Sequence, residues 1–396
     1  MKILFVSARF PYPPLRGDQA RAYHQLRLLG PKHRITLLSF INKDVPSEAQ
    51  QAIKAYCDQI VTIPLRRMQM AFGLLTRIFS AYPFQTAIYQ TAEMKQVIQQ
   101  VLRTQTFDLA HIQLARMAPY LENEHGIPRV IDLIDALSLN MQRRYRNDSS
   151  PLKWIAYLEW KRLSRYERTI CHLFDHATVV SPVDRQAVGV YPNLTINVNG
   201  VDLARFPFTD DKREPHTIIF SGNMGYFPNV NAVLWFAKHV LPQVKKVIPQ
   251  VRFYIIGARP TREVQQLAKE DAAIIVTGYV NDLSEYLRQA TIAVAPMQAG
   301  SGSQFKVIEA MACGTPVVAT SAALGGFDVT AGEHLLIANK VDAFARQVIR
   351  LLQDQNLARY LAANARRLVE TEYTWEHSVA ELEKTYYSIL ARNNRA

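Results

Sequence analysis

Short apolar runs rich in Val, Ile, Leu and Phe recur along this chain of 396 residues, and they alternate with longer stretches whose apolar residues repeat at helical spacing. A strand covered on both faces reads as such a run. Two parallel strands can be joined only by a long crossover, usually a helix, so the alternation calls for α/β architecture with parallel sheets. Strands are predicted at Lys2–Ser7, Arg34–Phe40, Gln59–Ile63, Leu109–Ile112, Arg129–Leu133 and Ala177–Val180. A second set falls at Thr217–Ser221, Arg252–Ile256, Ile274–Val276, Ile292–Ala295, Val317–Thr320 and Leu335–Ile337. Helical spacing is clearest over Val230–Val247, Arg262–Asp271, Leu283–Gln289 and Asp342–Gln353.

Two such sets exceed one ordinary core, and the length suits two domains of roughly 150 to 200 residues each. The turn-forming Asn199-Gly200 and the polar stretch to Pro215 mark the join, giving domains 1–202 and 203–374. Residues 375–396 form a last helix with no strand after it, expected to pack back on the first domain. With 48% hydrophobic and 20% charged residues the chain is globular rather than disordered.

Cys57, Cys171 and Cys313 are odd in number and far apart, which excludes a disulfide framework and favours a reducing cytoplasm. The apolar run before Arg9 is too short for a signal-peptide core, and no run is long enough to span a membrane. The 46 basic against 34 acidic residues give a net charge of +12, which favours an anionic partner. Nucleic acid is not the expected one, because aromatic and basic residues do not interleave in any recognised motif.

The densest chemistry lies after Ala290. A buried strand, ATIAVAP, runs into the loop QAGSGSQ and then the helix FKVIEAMACG, which Gly314 ends. Strand, glycine-rich loop and helix N-terminus together offer free backbone N–H groups and a positive dipole end to a phosphate. Lys306 and Glu309, three residues apart, share one helix face. The amine can neutralise a diphosphate while the carboxylate accepts from the hydroxyls of a sugar diol; a plain surface ion pair is the competing reading.

The run GSGSQFKVIEAMACGTPVVAT resembles the donor-site motif of family-4 glycosyltransferases. That family has the GT-B fold: two Rossmann-like domains whose parallel sheets face an interdomain cleft, with a C-terminal helix crossing back to the first. The resemblance implies that Glu309 binds the donor ribose and that Lys306, with Ser301, Gly302, Ser303 and Gln304, holds the diphosphate. Ser301 stands where most members carry a first glutamate that touches the donor sugar. SGNMGYFPNVNAVLWF is similar to the start of the family's second domain, so Gly222 and Asn223 are expected at the donor, although many members place an Arg and a Lys there. In TGYVNDL, Tyr279 and Val280 match the loop that clamps the base.

In the first domain PYPPLRGDQARAYHQL is similar to the loop that touches donor phosphates and acceptor, which makes Gly17, Asp18 and Arg21 candidates. FDLAHIQLARM resembles a D-x-x-H-x-H stretch, with His111 at the first histidine and Gln113 at the second, where a glutamine can bond a sugar hydroxyl but cannot titrate. Asp135 is the candidate acceptor-side carboxylate. The pattern is closest to sugar transferases of bacterial exopolysaccharide and exosortase systems.

The function expected is therefore transfer of a sugar, with retention, from a UDP- or GDP-linked donor to a glycan, lipid-linked or small-molecule acceptor. The resemblance implies no metal or other cofactor. A GT-B nucleotide-sugar epimerase is the alternative, with a nucleic-acid-binding protein a distant third. Basic aromatic stretches at Leu65–Arg103 and Gln142–Arg168 suit peripheral contact with an anionic membrane on its cytoplasmic face.

Overall fold

The computed structural model describes residues 1–41, 45–66, 68–71, 73, 80–147, 150–209, 211, 213–298 and 305–393. The chain divides into two compact units, Met1–Val198 with Ser378–Ala396, and Asn199–His377.

The first unit is built on seven parallel strands: β1 (Lys2–Ser7), β2 (Arg34–Ile41), β3 (Gln59–Pro64), β4 (Leu109–Gln113), β5 (Arg129–Ile134), β6 (His176–Val179) and β7 (Leu194–Ile196). Their order across the sheet is β3-β2-β1-β4-β5-β6-β7. Successive side chains of a strand point to opposite faces, and β1 feeds two cores accordingly. Leu4 and Val6 join Leu38, Ile112 and Leu163 on one face, while Ile3 and Phe5 join Leu26, Ile35 and Tyr386 on the other. Tyr386 belongs to the last helix, Trp375–Asn393, which enters this unit from Ser378 onward. Its Val379, Leu382 and Ile389 are buried in the same core, and each fully buried aliphatic side chain contributes about 1.5–3 kcal/mol.

The second unit holds six parallel strands: β8 (Glu214–Ser221), β9 (Arg252–Ile256), β10 (Ile274–Gly278), β11 (Ala290–Ala295), β12 (Val317–Ala319) and β13 (Leu336–Ile337), in the order β10-β9-β8-β11-β12-β13. The stretch expected as one helix from Val230 is three segments, Phe227–Trp235, a π turn Phe236–Val240, and Leu241–Val247. Pro242 supplies the reason: it has no N–H to give the turn before it, and the wider π ladder absorbs the gap. All three cysteines are buried, and burial pushes each thiol up to about 12. Among the described residues no helix is long and apolar enough to cross a membrane.

Candidate active site

In the second sheet the chain runs outward from β8 through β9 to β10, then returns to β11 on the other side of β8 and continues to β13. The reversal opens a crevice at the carboxyl ends of β8 and β11, where open parallel sheets receive their ligands. Lys306, in the first turn of the helix Phe305–Ala312, projects into that neighbourhood. Its Nζ donates to Asn229 Oδ1 at 3.1 Å and lies 5.3 Å from the centre of the Phe220 ring at the end of β8. Asn229 in turn donates through Nδ2 to the carbonyl of Asn223 at 3.0 Å. An amine so placed is partly stripped of water, and burial draws it down to about 8 against the pull of Glu309.

Glu309 follows one turn later, half-buried. Burial pushes its carboxyl up to about 7, with Arg205 and then Lys306 opposing. Arg213 holds the far end of this helix by donating to the carbonyls of Cys313 at 3.1 Å and Gly314 at 2.7 Å, and Arg366 donates to that of Ala312 at 2.7 Å. Two guanidinium groups at the helix C-terminus offset its negative dipole end and fix the axis on which Lys306 and Glu309 ride.

The strand ends beside Lys306 leave no room for side chains. Gly222 has φ +156°, and a Cβ there would meet Asn229 Nδ2 at 2.7 Å. At Gly257, with φ +149°, a Cβ would sit 1.8 Å from the Gly222 carbonyl oxygen. Gly222 and Asn223 thus form the floor under Asn229. Tyr279 stands 66% exposed just past β10, with Val280 half-buried beside it. Ser301, Gly302, Ser303 and Gln304, expected to hold the diphosphate with Lys306, lie outside the described residues, as does Gly300.

In the first unit the sheet reverses between β1 and β4. Gln113, at the end of β4, donates to the Asp18 carbonyl at 3.1 Å, so its amide is tied to the start of the helix Gly17–Leu29. The Asp18 side chain is paired with Arg9. Arg21 corrects the sequence reading. Its side chain is fully buried, bonded to Asp132 at 2.5 Å and to Asn197 Oδ1 at 2.7 Å, so it presents no guanidinium to a phosphate. Asp132 also accepts from Gln25 at 2.9 Å and Thr178 at 3.0 Å, and the Arg21 charge holds its carboxyl below the usual range despite burial. His111 is a packed strand residue, stacked 4.6 Å from Phe5 and bonded through Nδ1 to the Tyr386 hydroxyl at 2.7 Å. Burial takes it down to about 4, which keeps it neutral.

Asp135 follows β5 and is pushed up to about 7 by burial, with Asp184 adding and Arg21 opposing. Strain gathers nearby: Leu114 after β4 has φ +74° and Ile134 before Asp135 has φ +63°. Left-handed backbone at a β-branched or bulky residue is uncommon and tends to mark a functional rim. Two more such residues lie in the second unit: His216, within β8 at φ +58°, and Arg259, at φ +59°, which follows β9 and packs its side chain against Gly225.

Sequence reading passed over Asn229, Arg205 and Arg259. Asn229 had a signal, since it closes the same run SGNMGYFPN that contains Gly222 and Asn223, but its contact with Lys306 spans 77 residues. Among the described residues no group of three or more His, Cys, Asp or Glu side chains is placed to hold a metal.

Residues 215–354 match the family model described as Glycosyl transferases group 1. An uncharacterized 44.6 kDa protein in the cps region of Klebsiella pneumoniae is 21% identical over 407 residues, covering 99% of this chain and 100% of that protein. A phosphatidyl-myo-inositol mannosyltransferase of Mycolicibacterium smegmatis is 30% identical over 203 residues, 48% of this chain and 51% of the relative. The solved structure of Anabaena HepE in complex with UDP and glucose superposes with a TM-score of 0.68 at 15% identity, covering 98% of this chain and 100% of the other. With two parallel sheets, a helix carrying Lys306 and Glu309 at the reversal of the second, and these likenesses, the chain is a glycosyltransferase with the GT-B fold, and residues 215–354 carry its likeness to the group 1 glycosyl transferases.

Proposed function

We propose that the chain transfers a sugar, with retention of configuration, from a UDP- or GDP-sugar to a glycan or lipid-linked acceptor during assembly of a bacterial polysaccharide, and that it works peripherally on an anionic membrane. One observation carries the donor side: the Lys306 amine is held at the crevice by Asn229 over Phe220, with Glu309 one turn along the same helix face. The cps-region relative and the structure solved with UDP and glucose support the substrate class.

In this reading Lys306 neutralises the donor diphosphate, and Glu309 accepts from the two ribose hydroxyls. Tyr279 and Val280 flank the base, and Gly222 and Asn223 let the phosphates approach the backbone. Ser301, Gly302, Ser303 and Gln304 complete the phosphate loop. The bond from the anomeric carbon to the phosphate oxygen breaks, and the acceptor hydroxyl oxygen bonds to that carbon on the same face. The acceptor proton passes to the departing phosphate oxygen. Charge grows on that oxygen as the bond breaks, so fixed donors and the Lys306 cation lower the barrier there without a metal. Asp135 and Gln113 serve the acceptor and sugar hydroxyls, with Gly17 and Asp18 at the loop beside them.

A thermal-shift and calorimetry panel of UDP, GDP and ADP and their sugars tests the class and names the base. Stabilisation by one nucleoside diphosphate, lost in Lys306→Ala and Glu309→Ala, is expected. Equal affinity in both variants would sink the donor assignment. Interconversion of free nucleotide sugars with no transfer to an acceptor would favour the epimerase reading.

A further inference from the structure

The helix Lys153–Leu173 presents an outer face on which exposed apolar residues give way to basic ones. Its inner face packs normally: Ala156, Glu159, Leu163, Tyr166, Glu167 and Ile170 are buried. On the outside, Trp154 is 59% exposed, Ile155 56% and Leu158 42%, with Leu152 just ahead of the helix at 55%. Two turns further along, Lys161, Arg165 and Arg168 are exposed. Residues 154, 158, 161, 165 and 168 step by four and three, so they form one stripe along one helix face. That stripe changes from apolar to basic over about 21 Å at 1.5 Å per residue.

Charge on this face has a single sign. Between residues 137 and 173 the described acids are Glu159 and Glu167, and both are turned inward. Glu159 accepts from the backbone of Phe84 at 2.7 Å and Gln85 at 2.9 Å, and Glu167 accepts from Ser138. Arg144 and Arg146, on the preceding helix Leu137–Asn147, are exposed as well. Tyr145 from that helix meets Trp154 at 5.7 Å, Tyr157 at 5.1 Å and Trp160 at 6.4 Å, which stiffens the apolar end into a four-ring block. Lys161 lies over the Trp160 ring at 4.6 Å and Lys153 over the Trp154 ring at 5.7 Å.

We infer that this stripe is the surface by which the chain docks on an anionic lipid bilayer, with the Leu152–Leu158 end sunk at the headgroup level and the Lys161–Arg168 end lying along the lipid phosphates. The inference rests on the peripheral-membrane reading above and names the surface that serves it. Tryptophan with aliphatic neighbours suits the membrane interface, and each basic residue near an anionic surface adds about 1 kcal/mol. A nucleic acid fits less well, because Leu152, Ile155 and Leu158 offer it nothing and Lys161 already covers the rings that would stack on bases. The other basic aromatic stretch, Leu65–Arg103, carries no comparable argument, since Phe72, Arg77 and Phe79 lie outside the described residues.

Co-sedimentation of the full chain with vesicles of phosphatidylcholine alone, or mixed with phosphatidylglycerol, tests this. The expected result is binding to the mixed vesicles only, weakening with salt. The double variants Trp154→Glu with Leu158→Glu, and Lys161→Glu with Arg165→Glu, should each reduce partitioning roughly tenfold or more. All four side chains are exposed or partly so, and unchanged circular dichroism and nucleoside diphosphate affinity would certify the fold. Binding that survives both variants overturns this surface while leaving the membrane reading in place. Absence of binding to any vesicle overturns both. Self-association without vesicles, or salt-sensitive binding of an oligonucleotide, abolished by the same variants, would reassign the face to a second copy or to nucleic acid.

Discussion

Lys306 concentrates the donor chemistry in one amine, and its surroundings set how it should respond to pH. An anionic ligand binds the protonated amine, so affinity for a nucleoside diphosphate should fall as pH rises through about 8. It should also fall below about 7, where Glu309 takes up a proton and stops accepting from the diol. Calorimetry across this range should show an optimum between the two values. Lys306→Ala should cost about 1.5–3 kcal/mol, the worth of one charge-assisted hydrogen bond, and remove the alkaline limb. Arg21 makes the opposite kind of case. Its place one turn into the helix after the PYPPLRGD loop reads as a donor contact, and nothing local announces Asp132, 111 residues away. Removing one partner of a buried pair strands the other charge, so Arg21→Met should destabilise the first unit by about 3–5 kcal/mol in urea titrations. Nucleoside diphosphate affinity should survive in the folded fraction; its loss would restore Arg21 to the donor site. The motif names Lys306 although its partner Asn229 is 77 residues away, but a motif carries no record of a buried partner on another strand, and there the reading of Arg21 fails.

At the scale of elements, the glycines at the carboxyl ends of β8, β9 and β10 separate two reasons for having no side chain. Gly257→Ala forces a Cβ to 1.8 Å from a backbone oxygen, which cannot give way, whereas Gly278, at φ +72°, faces nothing within 4 Å. Gly278→Ala should therefore cost only the left-handed penalty of about 1–2 kcal/mol. Gly257→Ala should part the ends of β8 and β9 and lose both stability and donor binding. Comparable melting temperatures for the two variants would contradict this. The twelve strands expected from apolar runs are all present, because strands buried on both faces announce themselves by composition. β7 was not expected: it has three residues, Thr195 and Ile196 are exposed, and no apolar run marks it. Likewise the helix Gln355–Glu372 hides its buried face in Leu361, Ala362, Ala365 and Val369, where alanines blur the periodicity. The shift to a π turn at Phe236 depends on how Pro242 is met by the preceding turn, which spacing does not encode.

Across the whole molecule, buried titratable groups pull stability in opposite directions. His111 and His176 are lowered from 6.5 to about 4, so the unfolded chain takes up protons first and stability falls as pH drops through that window. Asp135, Glu167 and Glu309 are raised to about 7 by burial, so the folded chain keeps protons that the unfolded chain releases, and stability falls as pH rises toward 7. Glu167→Gln should remove one of the latter penalties. Its stability relative to the parent chain should rise from the carboxylate range up to about 7 and level off above it, as read by denaturant midpoints at matched pH. A pH-independent difference would mean that Glu167 ionises as freely folded as unfolded.

The buried cysteines turn this chain into its own stopwatch. A thiol held protonated to about 12 and sealed from solvent cannot be alkylated until its surroundings open. Cys57 and Cys171 belong to one unit and Cys313 to the other. Mass-resolved alkylation in rising urea therefore clocks each unit separately, with no label added. Donor nucleotide should slow modification of Cys313, which follows the Lys306 helix, while leaving the clock at Cys171 running at its former rate.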